Sequence, residues 1–256
     1  MHYHSVGEGP ALLFLHGSGP GASGWSNFHP NAEYFAANGY RCILADSIGY
    51  GLSDKPTDKL YTLEFMSGAA VKLMDSLGID QFIPVGNSQG GAQAMYIALH
   101  YASRIPKLVL MAPGGLETRE RYMEMSGIRS FVRCIFGPEG ITWEGMQKLF
   151  DKQVVDPASV PDGVVERRYK VSLMQPKHVF EAMRVDNLEE QLHEIGCPTF
   201  GLWGTNDLFC PPSGAMKLAT RIPNCRVVLL NRCGHWVMVE EAELFNRLVL
   251  DFLQNG

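Results

Sequence analysis

The stretch Gly86-Asn87-Ser88-Gln89-Gly90 does more to limit the fold of this chain than any other. An apolar run, Phe82-Ile83-Pro84-Val85, precedes it, and Ala92 to Tyr101 follows with the spacing of a helix. A G-x-S-x-G between a strand and a helix is a nucleophile elbow. Its serine takes a strained backbone conformation, and the flanking glycines let strand and helix approach without a Cβ clash. The hydroxyl is presented at the carboxyl end of a sheet, beside a helix N-terminus whose free N–H groups favour developing negative charge. The pattern is short, and a plain Gly-rich turn would also produce it. Its partners elsewhere in the chain decide between the two.

Upstream, Ala11-Leu12-Leu13-Phe14-Leu15 is a continuous apolar run, as expected of a strand buried on both faces. It opens into the Gly-rich stretch His16 to Asn27, a loop that exposes backbone N–H groups and has no bulk to hinder a ligand, although a flexible connection would look the same. His2 to Val6 reads as a short strand, Asn31 to Asn38 as a short helix closed by Gly39, and Arg41 to Ala45 as a second buried strand. Thr62 to Leu77 has helical spacing, with Thr62 as N-cap and Gly78 as stop, and Lys107 to Met111 is the strand after the elbow helix. Strands alternating with helices predict a mostly parallel sheet covered on both faces, with its site beyond the carboxyl ends of the strands.

Between residues 114 and 187 the alternation gives way to amphipathic segments: Arg119 to Phe136, Thr142 to Lys152, Gly163 to Leu173 and Pro176 to Val185. This stretch reads as a helical cap inserted into a core formed by residues 1–113 and 188–256. Its methionines (Met123, Met125, Met146, Met174, Met183) suit either ordinary packing or an adaptable pocket wall. The α/β pattern resumes with strands at Pro198 to Trp203 and Arg226 to Leu230, and helices near Pro212 to Ile222 and Glu240 to Leu253.

Composition narrows the function classes. A chain of 256 residues, 46% hydrophobic and 19% charged, supports one globular core with an insertion. A net charge of −5 without a Lys/Arg cluster argues against nucleic acid and an anionic membrane surface, so an anionic substrate would need a local cation. The N-terminus lacks the regions of a signal peptide and no long apolar run occurs, which points to a cytoplasmic protein. Six dispersed cysteines without a C-x-x-C pair suggest neither zinc nor a disulfide framework and read as reduced. His2 and His4 alternate like a metal pair, but no further ligands lie near them in sequence, and His16 reads as structural.

A serine hydroxyl needs a base to take its proton and a carboxylate to orient that base. Asp207 follows the strand ending at Trp203 and His235 the strand ending at Leu230, so the chain order is Ser, Asp, His, the order of α/β-hydrolases. In this triad Ser88 attacks, His235 shuttles the proton and Asp207 fixes the imidazole tautomer. The oxyanion falls to the backbone N–H of Gln89 and to a second donor from the Gly-rich loop, assigned to Ser18.

These residues resemble one branch of the α/β-hydrolase superfamily, the meta-cleavage-product hydrolases, which cut a carbon–carbon bond in 2-hydroxy-6-oxo-hexa-2,4-dienoates. The resemblance rests on His16 to Ala22 with Trp25-Ser26-Asn27, Gly86 to Gly91, Ala112-Pro113-Gly114-Gly115 and Cys233-Gly234-His235-Trp236-Val237, and it covers nearly the whole chain. It implies that Asn27 and Asn87 are polar ligands of the dienoate, that Gly17 and Gly19 border it, and that Trp236 is a pocket neighbour of the histidine. It also implies a cap arginine for the substrate carboxylate, best matched by Arg168 with Arg167 as rival; a guanidinium suits a carboxylate. No metal or organic cofactor is implied, and a dimer or larger assembly is. Two departures stand out: Gln89 where such enzymes often carry an apolar residue, placing a polar side chain near the oxyanion hole, and a short N-terminus that leaves little for the usual antiparallel strands. A carboxylesterase or lactonase with the same triad, a C–N hydrolase, or a ligand receptor on the same fold remain as rival readings.

Overall fold

The computed structural model describes residues 1–256. Nine strands form in chain order: β1 (Tyr3–Val6), β2 (Ala11–Leu15), β3 (Arg41–Ala45), β4 (Tyr61–Thr62), β5 (Phe82–Asn87), β6 (Leu108–Met111), β7 (Met183–Arg184), β8 (Thr199–Gly204) and β9 (Cys225–Leu230). Seven of them make one sheet in the order β1-β3-β2-β5-β6-β8-β9. Only β1 runs antiparallel, against β3, so the short N-terminus still supplies one such strand. β4 and β7 pair separately, a contact that two-residue strands do not announce in sequence.

Every residue of β2 and β5 is buried, which explains their unbroken apolar runs. Successive side chains leave the sheet on opposite faces. Leu13, Leu15, Leu108 and Leu110 join one core with Met66, Ala70 and Ala92, while Leu12, Phe14, Val109 and Met111 join a second with Phe28, Phe35, Phe245 and Val249. Helices α2 (Leu63–Ser76) and α3 (Gln89–His100) cover the first face; α1 (Gly24–Ala37) and the C-terminal helix cover the second. The helix expected over 31–38 thus begins seven residues earlier. Ser23 caps it by accepting from Ser26 N–H, and Ser26 Oγ accepts from Ser23 N–H, so Ser26 and Asn27 lie on α1 and not in the Gly-rich loop. Thr62 caps α2 as expected.

Between β6 and β8 the chain forms α4 (Arg119–Glu124), α5 (Ser126–Phe136), α6 (Trp143–Phe150), α7 (Val164–Ser172) and α8 (His178–Glu181). The segment expected over 119–136 is broken at Met125, whose extended backbone (ψ 128°) separates α4 from α5. The ends of this insertion are tied together. Leu188 N–H donates to Gly115 O at 2.7 Å, and Lys217 Nζ, on α9 (Ser213–Arg221), pairs with both Glu117 and Glu189 at 2.9 Å. The chain closes with α10 (Val237–Glu240) and α11 (Ala242–Asn255), two helices where one was expected. No helix is long and apolar enough to cross a membrane, no group of three or more His, Cys, Asp or Glu is placed to hold a metal ion, and all six cysteines are free.

Candidate active site

Ser88 stands between β5 and α3 with φ 56° and ψ −120°, a conformation a non-glycine residue holds only under restraint. Its N–H donates to Met111 O at 3.1 Å, and its carbonyl accepts from Ala92 N–H at 3.1 Å and Gly114 N–H at 2.8 Å. A Cβ on Gly90 would stand 2.0 Å from Leu15 O, so only glycine lets α3 start this close to β2.

Asp207 and His235 leave β8 and β9 at the same edge. Asp207 Oδ1 accepts from the N–H groups of Phe209 (2.7 Å) and Cys210 (2.9 Å), which holds the carboxylate still. Its Oδ2 lies 2.7 Å from His235 Nδ1, and both side chains are almost wholly buried. A carboxylate in that place accepts from Nδ1–H and leaves Nε2 free to accept a proton. The Phe209 ring stacks on the imidazole at 5.0 Å, and Gln153 O, from the turn after α6, accepts from His235 N–H at 2.7 Å and Trp236 N–H at 3.0 Å.

Ser88 and His235 line one cleft with Gly17, Ser18 and Gly19, and about 430 Å³ of space, part of it open to solvent, lies within it. The backbone N–H groups of Ser18 and Gln89 pair with no acceptor in the protein, as two donors awaiting an anion would. The Gln89 side chain departs from the expectation. It is buried beneath the elbow, where Nε2 reaches Met66 Sδ at 3.4 Å, so it does not line the cleft. The reason is position: Gln89 opens α3, and that helix packs on α2, which carries Met66.

Asn27, Asn87, Arg168 and Trp236 line the same cleft. Arg168 is 3% exposed on the inner side of α7 and lines the cleft, whereas Arg167 points outward near Asp162 O. The Arg168 guanidinium donates to Pro20 O and to Asn27 Oδ1, each at 3.3 Å, and lies 5.1 Å from the Phe150 ring and 5.4 Å from Trp236. Neither acceptor is anionic. Burial pushes Arg168 down to about 9, with Tyr50 opposing the shift. Asn27 Nδ2 and Asn87 Oδ1 are buried without a partner, while Asn87 Nδ2 donates to Met111 O and His235 O. Such an arrangement can bind an anion at one end, offer two N–H groups to an oxyanion, and relay a proton from a hydroxyl to an imidazole.

Trp25 lies outside the cleft, 40% exposed and stacked on His29 at 5.0 Å. None of Met123, Met125, Met146, Met174 and Met183 lines it either, so their role is packing or surface. Ile128, Phe131, Phe209 and Gln153 do line it and carry no signal in the sequence, apart from the place of Phe209 two residues after Asp207. His16 is wholly buried, its Nδ1 2.7 Å from Gly17 O and its Nε2 accepting from Ser47 N–H at 3.0 Å, and burial pushes it down to about 4. That is the structural role expected of it. His2 Nδ1 contacts Asp46 Oδ2 at 2.8 Å and its ring packs on His4, with no metal-binding group around them.

Fold and elbow together define an α/β-hydrolase, and a family model described as alpha/beta hydrolase fold matches residues 10–131. The chain is 38% identical to the 2-hydroxy-6-oxo-6-phenylhexa-2,4-dienoate hydrolase of Burkholderia cepacia, covering 100% of this chain and 92% of that one. It is 37% identical, with the same coverage, to a 2-hydroxy-6-oxononadienedioate/2-hydroxy-6-oxononatrienedioate hydrolase of Comamonas testosteroni. A solved meta-cleavage product hydrolase from Pseudomonas fluorescens IP01, a serine-to-alanine mutant complexed with acetates, superposes with a TM-score of 0.87 at 28% identity over 98% of this chain and 93% of that one. The chain belongs to the meta-cleavage-product hydrolase family.

Proposed function

We propose that this protein is an enzyme that hydrolyses the C5–C6 bond of a 2-hydroxy-6-oxo-hexa-2,4-dienoate. A carbon leaving group departs only if its electrons can be delocalised, so ketonisation comes first. The 2-hydroxyl gives up its proton and C5 gains one, leaving a 2-oxo acid with a saturated C5. Ser88 Oγ then attacks C6 as His235 takes its proton, and the N–H groups of Ser18 and Gln89 receive the oxyanion. Collapse breaks C5–C6, the electron pair runs through the C3–C4 double bond to the C2 oxygen, and protonation releases 2-hydroxypenta-2,4-dienoate. Water activated by His235 frees the carboxylic acid from Ser88. Arg168 and Asn27 hold the C1 carboxylate, Asn87 and the loop glycines border the diene, and Trp236 walls the site.

The observation that carries this reading is Arg168: a buried guanidinium with no anionic partner, in the cleft that holds Ser88 and His235. An esterase of neutral substrates gains nothing from burying that charge, whereas an oxo-acid substrate neutralises it. Ile128, Phe131 and Phe209 line the cleft, and Arg168 is its one Lys or Arg, so an aryl or alkyl group at C6 fits better than a carboxylate-bearing one. The test is loss of the dienoate's visible absorbance for 6-phenyl and 6-methyl substrates and the nonadienedioate, with Ser88→Ala, Arg168→Ala and a p-nitrophenyl ester as controls. Serine-dependent consumption of a dienoate, with a raised KM in Arg168→Ala, is expected. Efficient ester cleavage with every dienoate left intact would instead make the protein a carboxylesterase.

The reading extends to residues 114–187 as a lid over a core of 1–113 and 188–256, supported by the tied ends of that segment. A homo-oligomer and a cytoplasmic location complete it, the first tested by light scattering and the second by fractionation.

A further inference from the structure

Three buried side-chain atoms among the cleft residues have no partner in the protein: Asn27 Nδ2, Asn87 Oδ1 and Gln153 Oε1. The first two belong to the reading above. Gln153 does not, and the sequence gives no hint of it. Its side chain is carried by the turn after α6, where its N–H donates to Phe150 O at 2.8 Å, and the residue is 7% exposed. A carboxamide oxygen buried this way bears a desolvation cost that a ligand donor would relieve.

Its backbone packs against the loop that carries both His235 and Trp236, next to the residues around Arg168. Phe150, three residues earlier, lies 5.1 Å from the Arg168 guanidinium and 5.3 Å from Trp236, and Gln153 O itself accepts from the N–H groups of His235 and Trp236. Ile128, Phe131 and Phe209 also line the cleft, Phe209 stacked on the His235 ring. Donor and acceptor bookkeeping then assigns the contacts. A carboxylate only accepts, so it takes the donors Arg168 and Asn27 Nδ2. The 2-hydroxyl beside it is the one donor of the oxo-acid head and needs an acceptor. Asn87 Oδ1 is committed to the Ser88 end, since a Cβ built on Gly17 would stand 3.4 Å from it and 3.1 Å from Ser88 Cβ. Among the unpartnered buried acceptors of the cleft, that leaves Gln153 Oε1.

We infer that Gln153 accepts a hydrogen bond from the C2 hydroxyl and selects 2-hydroxy dienoates over analogues that lack it. The inference rests on the dienoate reading above. It is tested by a binding cycle in the Ser88→Ala protein, which prevents turnover. The dissociation constants of 2-hydroxy-6-oxo-6-phenylhexa-2,4-dienoate and its 2-deoxy counterpart are compared, by tryptophan quenching, with Gln153 intact and as Gln153→Met. With Gln153 the hydroxyl is expected to improve binding about tenfold, and with Met that preference disappears. Equal weakening of both ligands, which a merely structural role would give, overturns the inference, as does an unchanged preference. Gln153→Glu keeps an acceptor, so it retains the preference while repulsion of the C1 carboxylate weakens both ligands. If Gln153→Met does not fold, loss of the preference in Gln153→Glu is the result that overturns it. Wild-type protein that leaves the dienoate intact overturns both readings, whereas turnover without the Gln153 effect overturns this one alone.

Discussion

Gly19 is the residue at which the Gly-rich loop and Arg168 of α7 meet. A Cβ there would stand 2.3 Å from Arg168 Nη2, whereas at Gly21 it would stand 1.8 Å from the Arg168 backbone carbonyl, with φ at +64°. The two substitutions therefore separate. Gly19→Ala meets the far end of a flexible side chain, so the guanidinium moves and the fold stays. KM for a dienoate is expected to rise roughly tenfold with kcat changed far less, because binding geometry is lost and not the nucleophile. Steady-state kinetics beside a thermal melt checks this; a collapse of Tm with KM untouched would refute it. Residues of this kind were only half legible. That Ser88, Asp207 and His235 lie close together could be read because each follows a strand in a fixed order, the strands before Ser88 and Asp207 wholly buried and that before His235 partly so; Arg168 was marked only by a family pattern. Gln153 could not, since a glutamine in the turn after α6 acquires meaning only when that turn packs onto the histidine loop.

At the scale of elements, the strands were the legible part: β2 and β3 fall on the expected residues, since burial on both faces forces unbroken apolar runs. Helix starts were less so, because α1 begins inside a Gly-rich stretch whose capping box of two serines reads as more loop. The junction between elements was invisible. Glu240, the last residue of α10, accepts from Val155 N–H (2.6 Å) and Asp156 N–H (2.9 Å) through Oε1 and from Gly234 N–H (2.6 Å) through Oε2. One carboxylate thus ties the segment after α6 to the loop that carries His235. Glu240→Ala removes three charge-assisted hydrogen bonds and is expected to cost about 2 kcal/mol, roughly 4–8 °C in Tm for a domain of this size. Because the same tie positions the imidazole, dienoate kcat falls with it, and Glu240→Gln, which keeps one acceptor oxygen, recovers part of both. Calorimetry and kcat on the two variants test the coupling; a stability loss in Glu240→Ala with kcat unchanged would show that the tie does not reach His235.

For the molecule as a whole, the site and the core share one vulnerable group. His16 joins the loop after β2 to the loop after β3, donating through Nδ1 to Gly17 O while Nε2 accepts from Ser47 N–H, an arrangement that requires the neutral ring. Burial is the main cause of its depressed pKa, about 4 against an ordinary 6.5, with the Gly17 carbonyl and Asp46 partly opposing it. Between those values the unfolded chain binds more protons than the folded one, so stability falls as pH drops from 6.5 toward 4. The difference amounts to on the order of 3 kcal/mol, a large share of the 5–15 kcal/mol that holds a typical domain together. The urea midpoint should therefore drop between pH 7 and pH 4. Carboxylates also begin to protonate near the lower limit, so the comparison that isolates the histidine is with His16→Gln. That variant loses the geometry of the imidazole bridge and starts less stable at pH 7, but it has no ring to protonate. Its curve should be flatter than the wild-type curve from pH 6.5 to 4, and the two should converge. Parallel curves would place the acid sensitivity elsewhere and leave His16 as a packing residue alone. If they converge, acid opens the molecule at the loop that carries Ser18 and Gly19, and dienoate turnover should be lost before the sheet unfolds.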